Sequence, residues 1–421
     1  MKHSKIRNLS YRLVSIVSFL LVLCLTHNQV SAQELNLSKG PGAITNVTMS
    51  RDIQSVHISN EDFNDIANVP ISNSIVSLST DCKGVSIVSN EKLITKKSLT
   101  SYEMPQIQKK NTKSVASKAV NVSGIIDAST LEDNAELVLT GNTNLFMDVN
   151  KTLKCISGDY TLTLSGGNIL TLNNPEDYAI NVISITISAP LIVKSSNVAI
   201  SAKNGITINS TVNATSTNTC IGTVNGTISI NGDVTVTTNS SAAILNRGLD
   251  NGGDIIINNG VIKATGGNSG IWAYGIAARG SITSQAGTII NATGGTGIYA
   301  EEGNIHLAGD VVSIAKGETG SGVYAEAGEV TLSTISVSSS CVGISARNGL
   351  TLNGDVEINS VDTGIGTVNG TLTINDDVTA TTNSSAAILN RGLDNGGDII
   401  INKGVIKATG GNSGIWAYGI A

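Results

Sequence analysis

Short alternations of apolar and polar residues fill the chain from residue 199 to residue 421, and Gly and Asn separate them. Each repeat begins with an aliphatic residue, places a small residue two positions later, and reaches a Gly that opens a second alternation; a third follows after another turn. Successive side chains in a strand point to opposite faces, so each repeat predicts three short strands. The repeats begin at Ile200, Ile221, Ile244, Ile271, Ile298, Val323, Ile344, Ile365, Ile388 and Ile415.

The period of 21 to 27 residues is typical of a β-solenoid. One coil cannot bury its apolar face alone, but coils stacked at about 4.8 Å bring equivalent positions together around a continuous core. In the repeats that begin at Ile244, Ile271 and Ile388 the Gly comes nine rather than five residues later, as though four residues had been inserted after the first strand. We predict an all-β fold, a right-handed parallel β-helix with three short strands per coil. One buried ladder should consist of Ile221, Ile244, Ile271, Ile298, Val323, Ile344 and Ile365.

The chain before the regular repeats of residues 199–421 divides by composition into three parts. Residues 1–32 have the features of a signal peptide, with basic residues, an apolar stretch from Leu13 to Leu25 and a small-residue cleavage site at Ala32. A retained anchor is the alternative, although this stretch is short for a membrane span. Residues 33–118 form a polar region with a basic linker, and residues 119–198 an N-terminal cap with degenerate coils. We expect export, and no membrane span in the mature chain.

One long segment of the solenoid occurs twice. Residues 221–277 recur as residues 365–421 with five differences in 57 positions, at a shift of 144 residues. The second copy stops where the first continues through Ala278, so we expect the chain to be a truncated piece of a longer protein. The differing pairs are Ile228/Leu372, Ser229/Thr373, Gly232/Asp376, Val236/Ala380 and Asn259/Lys403.

Charge argues against a nucleic-acid partner. Residues 119–421 contain 12 basic and 24 acidic residues, and the whole chain has a formal net charge of −6. An acidic surface repels phosphate backbones, and export would place the protein outside the cell.

The repeats resemble those of known proteins. The segment GGDIIINNGVIKATGGNSGIWAYGIA, residues 252–277, is similar to repeats of right-handed parallel β-helix proteins of bacterial surfaces, of the pectin-lyase-like kind. Carbohydrate-binding and adhesin-like proteins of that kind are secreted or displayed at the cell surface. The resemblance covers about residues 150–421, and it implies the fold and the compartment more strongly than the ligand.

Enzymes of the resembled fold are recognised by clustered Asp residues with a His and a basic residue, or by Arg-x-Pro-x-x-Arg. The chain has no such Arg-Pro motif, and the pair Asp376-Asp377 has no His nearby in sequence. His306 lies between the inward-facing Ile305 and Leu307, so we expect it to face solvent alone. We predict a protein without catalysis. A polysaccharide lyase or hydrolase whose active residues lie in a missing part is an alternative.

A calcium site is a weaker hypothesis. Asp250 and Asp254, with their copies Asp394 and Asp398, place oxygen ligands in a Gly-rich inserted turn, and calcium binds such oxygens. The alternative is that these residues serve turn geometry. We predict no other cofactor.

Aromatic residues provide the candidate site. The repeat pattern places Trp272, Tyr299 and Tyr324 at the same outward position in three consecutive coils, and Tyr274 on the same face. Rings in a flat row can stack on sugar rings, so we predict that these residues bind a polysaccharide or a host or cell-wall glycan. The function we predict is a secreted or surface-displayed carbohydrate-binding or adhesin-like protein; a structural stalk with a stiffening ring ladder is the alternative. The bordering position carries Arg247, Tyr274, Glu301, Glu326 and Arg347.

Overall fold

The structure is a computed structural model that describes residues 119–421, except 250–252, 271, 393–396 and 413–416, and four strands nearer the N-terminus. The chain divides into two units, residues 1–95 and 96–421. The first unit contains two antiparallel pairs, and the predicted signal peptide lies outside the described residues. The pairs are β1 (Asn46–Met49) with β2 (Val56–Ser59), and β3 (Ser74–Leu78) with β4 (Val85–Ser89).

The second unit is a parallel β-solenoid of about 12 turns. One strand of each coil joins a 12-stranded sheet, which we call sheet I, and the other two join a 24-stranded sheet, sheet II. The only helical element in the described part is the single 3₁₀ turn Ala128–Thr130. The prediction of an all-β parallel β-helix with three strands per coil is confirmed, while its right-handedness stays a prediction.

Sheet I runs the length of the solenoid. Its strands are β7 (Lys151–Leu153), β10 (Leu170–Asn174), β13 (Leu191–Ser195), β16 (Val212–Ser216), β19 (Val234–Thr238), β22 (Val261–Thr265), β25 (Ile289–Gly294), β28 (Asp310–Ala315), β31 (Ile335–Ser339), β34 (Val356–Ser360), β37 (Val378–Thr382) and β40 (Ile406–Thr409).

Sheet II consists of two columns of strands, and the long strands β5 (Ala119–Asp127) and β6 (Glu136–Met147) extend across both columns at the N-terminal end. The first column comprises β8 (Cys155–Ser157), β11 (Ile180–Val182), β14 (Ile200–Ala202), β17 (Ile221–Thr223), β20 (Ile244–Asn246), β23 (Tyr274–Ala278), β26 (Thr296–Ala300), β29 (Ser321–Ala325), β32 (Val342–Ala346), β35 (Ile365–Thr367) and β38 (Ile388–Asn390). The second column comprises β9 (Thr161–Gly166), β12 (Ser184–Ile187), β15 (Ile206–Ile208), β18 (Ile228–Ile230), β21 (Ile255–Ile257), β24 (Ile282–Ser284), β27 (Ile305–Leu307), β30 (Val330–Leu332), β33 (Leu350–Leu352), β36 (Leu372–Ile374) and β39 (Ile399–Ile401).

The predicted aliphatic ladder lies in the first column of sheet II and is fully buried. Each member pairs in register with its equivalent one coil away, which aligns like side chains along the core. Burial of one such side chain contributes about 1.5–3 kcal/mol, so the stacked coils stabilise one another. The ladder is Ile200, Ile221, Ile244, Ile276, Ile298, Val323, Ile344, Ile365 and Ile388.

One member of the predicted ladder is wrong. Ile276, not Ile271, pairs with Ile244 on one side and with Ile298 on the other. The extra residues of this coil therefore precede the strand, between Thr265 and Tyr274, instead of following it. Ile271 and Ile276 are both followed by Ala two residues later, so the sequence offers two registers. In the register that the structure uses, the first-column strand of this coil ends at Ala278, two residues before Gly280.

Asparagine side chains link the coils at the corner between sheet II and sheet I. Asn231 Nδ2 donates to Asn209 Oδ1 at 2.8 Å, and Asn258 Nδ2 donates to Asn231 Oδ1 at 2.8 Å. Asn402 Nδ2 and Asn375 Oδ1 continue the pattern at 2.7 Å near the other end. Each amide is both donor and acceptor, so this ladder satisfies polar groups at every turn it occupies.

A left-handed Gly corner is present at Gly226. Its φ is +73°, and a Cβ there would lie 1.9 Å from the carbonyl oxygen of Asn204 in the preceding coil. Only Gly combines this backbone conformation with so close an approach. Gly370, the equivalent residue of the second copy, has the same φ and the same close approach to Asn348.

In the part of the chain that the structure describes, no helix is long and apolar enough to cross a membrane.

Candidate functional site

The outer face of the first column carries three neighbouring tyrosine rings. Tyr299 in β26 pairs with Tyr324 in β29, so both rings leave the same side of the sheet one coil apart. Their ring centroids are 5.7 Å apart at an interplanar angle of 38°. Tyr274, at the start of β23, stacks on Tyr299 with centroids 4.9 Å apart and an angle of 12°. The pairing of Tyr299 with Tyr324 confirms the prediction that these two residues occupy the same outward position in consecutive coils.

The predicted position of Trp272 in this row is wrong. The residue that pairs with Tyr299 from the preceding coil is Ala277, because Ile276 rather than Ile271 belongs to the inner ladder. Trp272 lies in the loop before β23, which we call the Trp272 loop (residues 266–273, with 271 not described). The ring therefore reaches the tyrosines from a loop and packs against them from outside the strand.

The row is not an exposed platform. Tyr299 is 1% exposed and Tyr274 is 2% exposed, whereas Trp272 and Tyr324 are half-buried. These rings form a second apolar cluster outside the solenoid core, which we call the outer cluster. Only its two half-buried rings are accessible to a ligand. Its fully buried members are Ala242, Leu245, Tyr274, Ala277 and Tyr299.

The two buried tyrosine hydroxyls of the outer cluster differ in their hydrogen bonding. The Tyr299 hydroxyl donates a hydrogen bond to Glu326 Oε2. Burial, with a further contribution from the nearby Glu326 carboxylate, raises the pKa of Tyr299 well above its usual range. Burial likewise raises the pKa of Tyr274, whose hydroxyl has no hydrogen-bond partner among the described residues. Both tyrosines therefore stay neutral at physiological pH, and they pack as apolar rings.

A column of charged residues borders the outer cluster, one position after the first-column strands. The backbone N–H of each residue in this column donates a hydrogen bond to the preceding coil, which fixes the order of the column. The repeat pattern placed Tyr274 in this column, but the position belongs to Arg279. Arg279 NH1 donates to Gly248 O at 2.9 Å and to Leu249 O at 3.2 Å, and NH2 donates to Glu302 Oε1 at 2.8 Å. It thus holds the inserted turn against the next coil. The column is Arg247, Arg279, Glu301, Glu326 and Arg347.

The inserted turn after β20 is held from inside by Asn246. Its Nδ2 donates to Gly226 O at 2.9 Å and to Asp254 O at 2.8 Å, and the side chain is fully buried. Of the calcium candidates, Asp250 and Asp394 lie outside the described residues, and Asp254 Oδ1 accepts a hydrogen bond from Ser281 N at 2.7 Å. This hydrogen bond gives Asp254 a part in the geometry of the turn, which was the alternative to a calcium site. Within the described ranges, no three His, Cys, Asp or Glu side chains form a group able to hold a metal.

The other candidate catalytic groups lie apart. His306 is exposed on β27, as predicted. Asp376 contacts Lys403, with Oδ2 and Nζ 3.4 Å apart, and Asp377 Oδ1 accepts a hydrogen bond from Val405 N at 2.8 Å. These contacts engage both carboxylates in the turns between coils.

A charged cluster in the early coils was missed by the sequence reading. Lys154 Nζ lies 2.7 Å from Glu136 Oε1 and 3.1 Å from Glu176 Oε2, beside a shallow depression that also includes Asp177. The hydrogen bond to Glu136 is the main cause that raises the pKa of Lys154. The three partners come from consecutive coils, but the repeat there is too irregular for their alignment to be read from spacing.

Comparisons with protein-family profiles, with curated proteins and with solved structures found no match. The fold itself defines the chain as a parallel β-solenoid repeat protein. The resemblance to pectin-lyase-like surface proteins stays a hypothesis.

Proposed function

We propose that this chain is a secreted or surface-displayed, non-catalytic β-solenoid that binds polysaccharide in an adhesin-like role. The observation that carries the proposal is the pair of half-buried rings, Trp272 and Tyr324, at the edges of the outer cluster. An aromatic ring that is held by packing on one side and open on the other can stack on the apolar face of a sugar ring.

The buried tyrosines prepare this site instead of contacting the ligand. Tyr299 packs between Tyr274 and Tyr324, and its hydroxyl is bound to Glu326. This support fixes the accessible rings before the ligand arrives, so less conformational entropy is lost on binding. The bordering Glu301 and Arg347 supply polar groups for sugar hydroxyls.

A neutral polysaccharide suits the charge of the protein. The formal net charge is −6, and the charged column beside the rings carries both signs. A polyanion would meet net repulsion, whereas a neutral chain would meet none. The proposed ligand is therefore an uncharged glycan of a host surface or a cell wall.

A structural stalk is the second candidate, and the burial of Tyr274 and Tyr299 favours it. Buried rings that stack between coils stiffen a wall whether or not a ligand binds. A lyase or hydrolase with its catalytic residues elsewhere in a longer protein stays an untested third alternative.

The test compares the double variant W272A/Y324A with the unmodified full chain in gel-shift assays against soluble β-glucan, mannan and xylan. Each ring should contribute about 1 kcal/mol, so the double variant should bind about thirtyfold more weakly. S345A changes the same outward column one coil beyond Tyr324 and should bind like the parent. Circular dichroism melts verify that both variants keep the fold. Equal binding by the double variant and the parent would favour the stalk.

A further inference from the structure

Seven Asn-Gly pairs lie in the described part of the solenoid, all of them in turns between strands. An Asn that precedes Gly is prone to deamidation, because Gly has no side chain to keep its backbone nitrogen away from the Asn side chain. The seven pairs differ in what holds the Asn side chain, so the fold should decide which of them react. The pairs begin at Asn204, Asn225, Asn231, Asn259, Asn348, Asn353 and Asn369.

Three of these side chains are held firmly. Asn225 and Asn369 are buried, at 7% exposure each. Asn231 belongs to the asparagine ladder, in which its Nδ2 donates to Asn209 Oδ1 and its Oδ1 accepts from Asn258 Nδ2, both at 2.8 Å. An amide held at both ends must break two hydrogen bonds before its Cγ can meet the backbone nitrogen of Gly232.

Two more side chains are exposed, and each is held by one hydrogen bond. Asn348 Nδ2 donates to Ala327 O at 2.6 Å. Asn353 Oδ1 accepts a hydrogen bond from Asn375 Nδ2 at 2.8 Å. These two residues need to break only one contact before they can react.

Asn204 and Asn259 differ from the other five. Both are exposed, and neither side chain makes a hydrogen bond with a described residue. Their amides are therefore free to rotate onto the backbone of the Gly that follows, Gly205 or Gly260.

We propose that Asn204 and Asn259 are sites of spontaneous deamidation, with water as the co-reactant, and that the fold protects the other five. The backbone nitrogen of the following Gly bonds to the Asn Cγ, and Nδ2 leaves as ammonia with the proton that the Gly nitrogen has lost. Water then opens the cyclic imide at one of its two carbonyl carbons. Opening at Cγ gives aspartate, whereas opening at the main-chain carbonyl gives isoaspartate and lengthens the backbone by one atom.

The two copies of the duplicated segment differ at one of these sites. In the second copy Lys403 replaces Asn259 and contacts Asp376 at 3.4 Å, so this position has no amide to lose. In the first copy the turn is capped by Asp233, whose Oδ1 accepts a hydrogen bond from Val261 N at 2.9 Å. A carboxylate at residue 259 adds a second negative charge to this turn, and like charges repel. Deamidation therefore acts on the first copy alone at this position.

The experiment incubates the full chain in mildly alkaline buffer, both folded and unfolded in urea, and follows each Asn by peptide mass spectrometry. Fragment ions assign the product to one residue. In the folded chain the two free residues should convert first. The two residues with one hydrogen bond should convert about fivefold more slowly, and Asn231, with two, about thirtyfold more slowly. The two buried residues should stay intact, whereas all seven should convert at similar rates in urea.

Two variants test the cause of the protection. Asn209→Ala removes the acceptor of Asn231 Nδ2 and should speed the conversion of Asn231 about fivefold, without changing that of Asn259. Asn259→Lys copies the second segment and should abolish only the signal at residue 259. The proposal is overturned if Asn259 stays intact in the folded chain while it converts in urea. It is also overturned if Asn231 converts as fast as Asn259 in the folded chain.

Discussion

Ile298 and Tyr299 are neighbours in one strand, point to opposite faces of sheet II, and are both buried, at 0% and 1% exposure. Ile298 is buried because every coil presents an aliphatic residue at that position. Tyr299 is buried because Tyr274 and Tyr324 happen to lie on either side of it. Inner burial is thus a property of the repeat, and outer burial a property of a few particular residues.

The extent of the two apolar regions differs accordingly. The inner ladder is continuous over nine coils, from Ile200 to Ile388. The outer cluster occupies only the coils from Leu245 to Tyr324. The same outward column carries Ser201 before it and Ser345 after it. Substitutions in the two regions should therefore differ in how far their effects spread.

The largest effect is expected from Ile298→Asp. This change puts an unpaired charge into the stacked core and should lower the free energy of unfolding by about 4 kcal/mol or more. Urea denaturation followed by circular dichroism measures it. Thr235→Asp, at an exposed position of sheet I, is the matched control and should change stability little. A stable I298D protein would contradict the assignment of Ile298 to the core.

An intermediate effect is expected at Tyr299. Tyr299→Ala removes a buried ring and should cost about 3–5 kcal/mol. Tyr299→Phe keeps the stack, loses only the hydrogen bond to Glu326, and should cost about 1.5 kcal/mol. Hydrogen exchange should show the loss of protection confined to β23, β26 and β29. A loss that spreads along the whole solenoid would mean that the outer cluster is not a separate local region.

The smallest effect is expected from Lys403→Asn, which restores the residue of the first copy. The ion pair with Asp376 is exposed, so its loss should change the free energy of unfolding by about 0–1 kcal/mol, and less at high salt. Thermal melts at low and high salt measure the change. A cost above that of Y299F would contradict the ranking of core, outer cluster and exposed pair.

The fold could be predicted because the inward positions obey a strict rule. A stacked coil places an aliphatic residue at Ile221 and its equivalents and mostly small residues at Ala202 and its equivalents, and those positions recur at a readable period. The register failed where Ile271 and Ile276 both satisfied the rule, and again in the second copy, where Ile420 rather than Ile415 bridges to Ile388. Packing of the ladder strand against its neighbours, which sequence does not contain, decides between them.

The candidate site was harder to predict because the outer face has no such rule. Alternation shows that Tyr299 points outward, but not that neighbouring rings cover it. That burial depends on Tyr274 and Trp272, which reach the face from the start of a strand and from a loop. Tyr274 was assigned to the bordering position that Arg279 occupies, because that position follows from the register of Ile276.

The stacking of coils has a mechanical consequence. Hydrogen bonds between coils run along the solenoid axis, so tension along that axis loads the bonds of one terminal coil at a time and peels coils away in sequence. A coil such as residues 200–220, of 21 residues, occupies about 5 Å of axis while folded and extends to about 70 Å when it unwinds. A protein built in this way yields under load by lengthening in discrete steps, and the coils that have not yet unwound keep their fold.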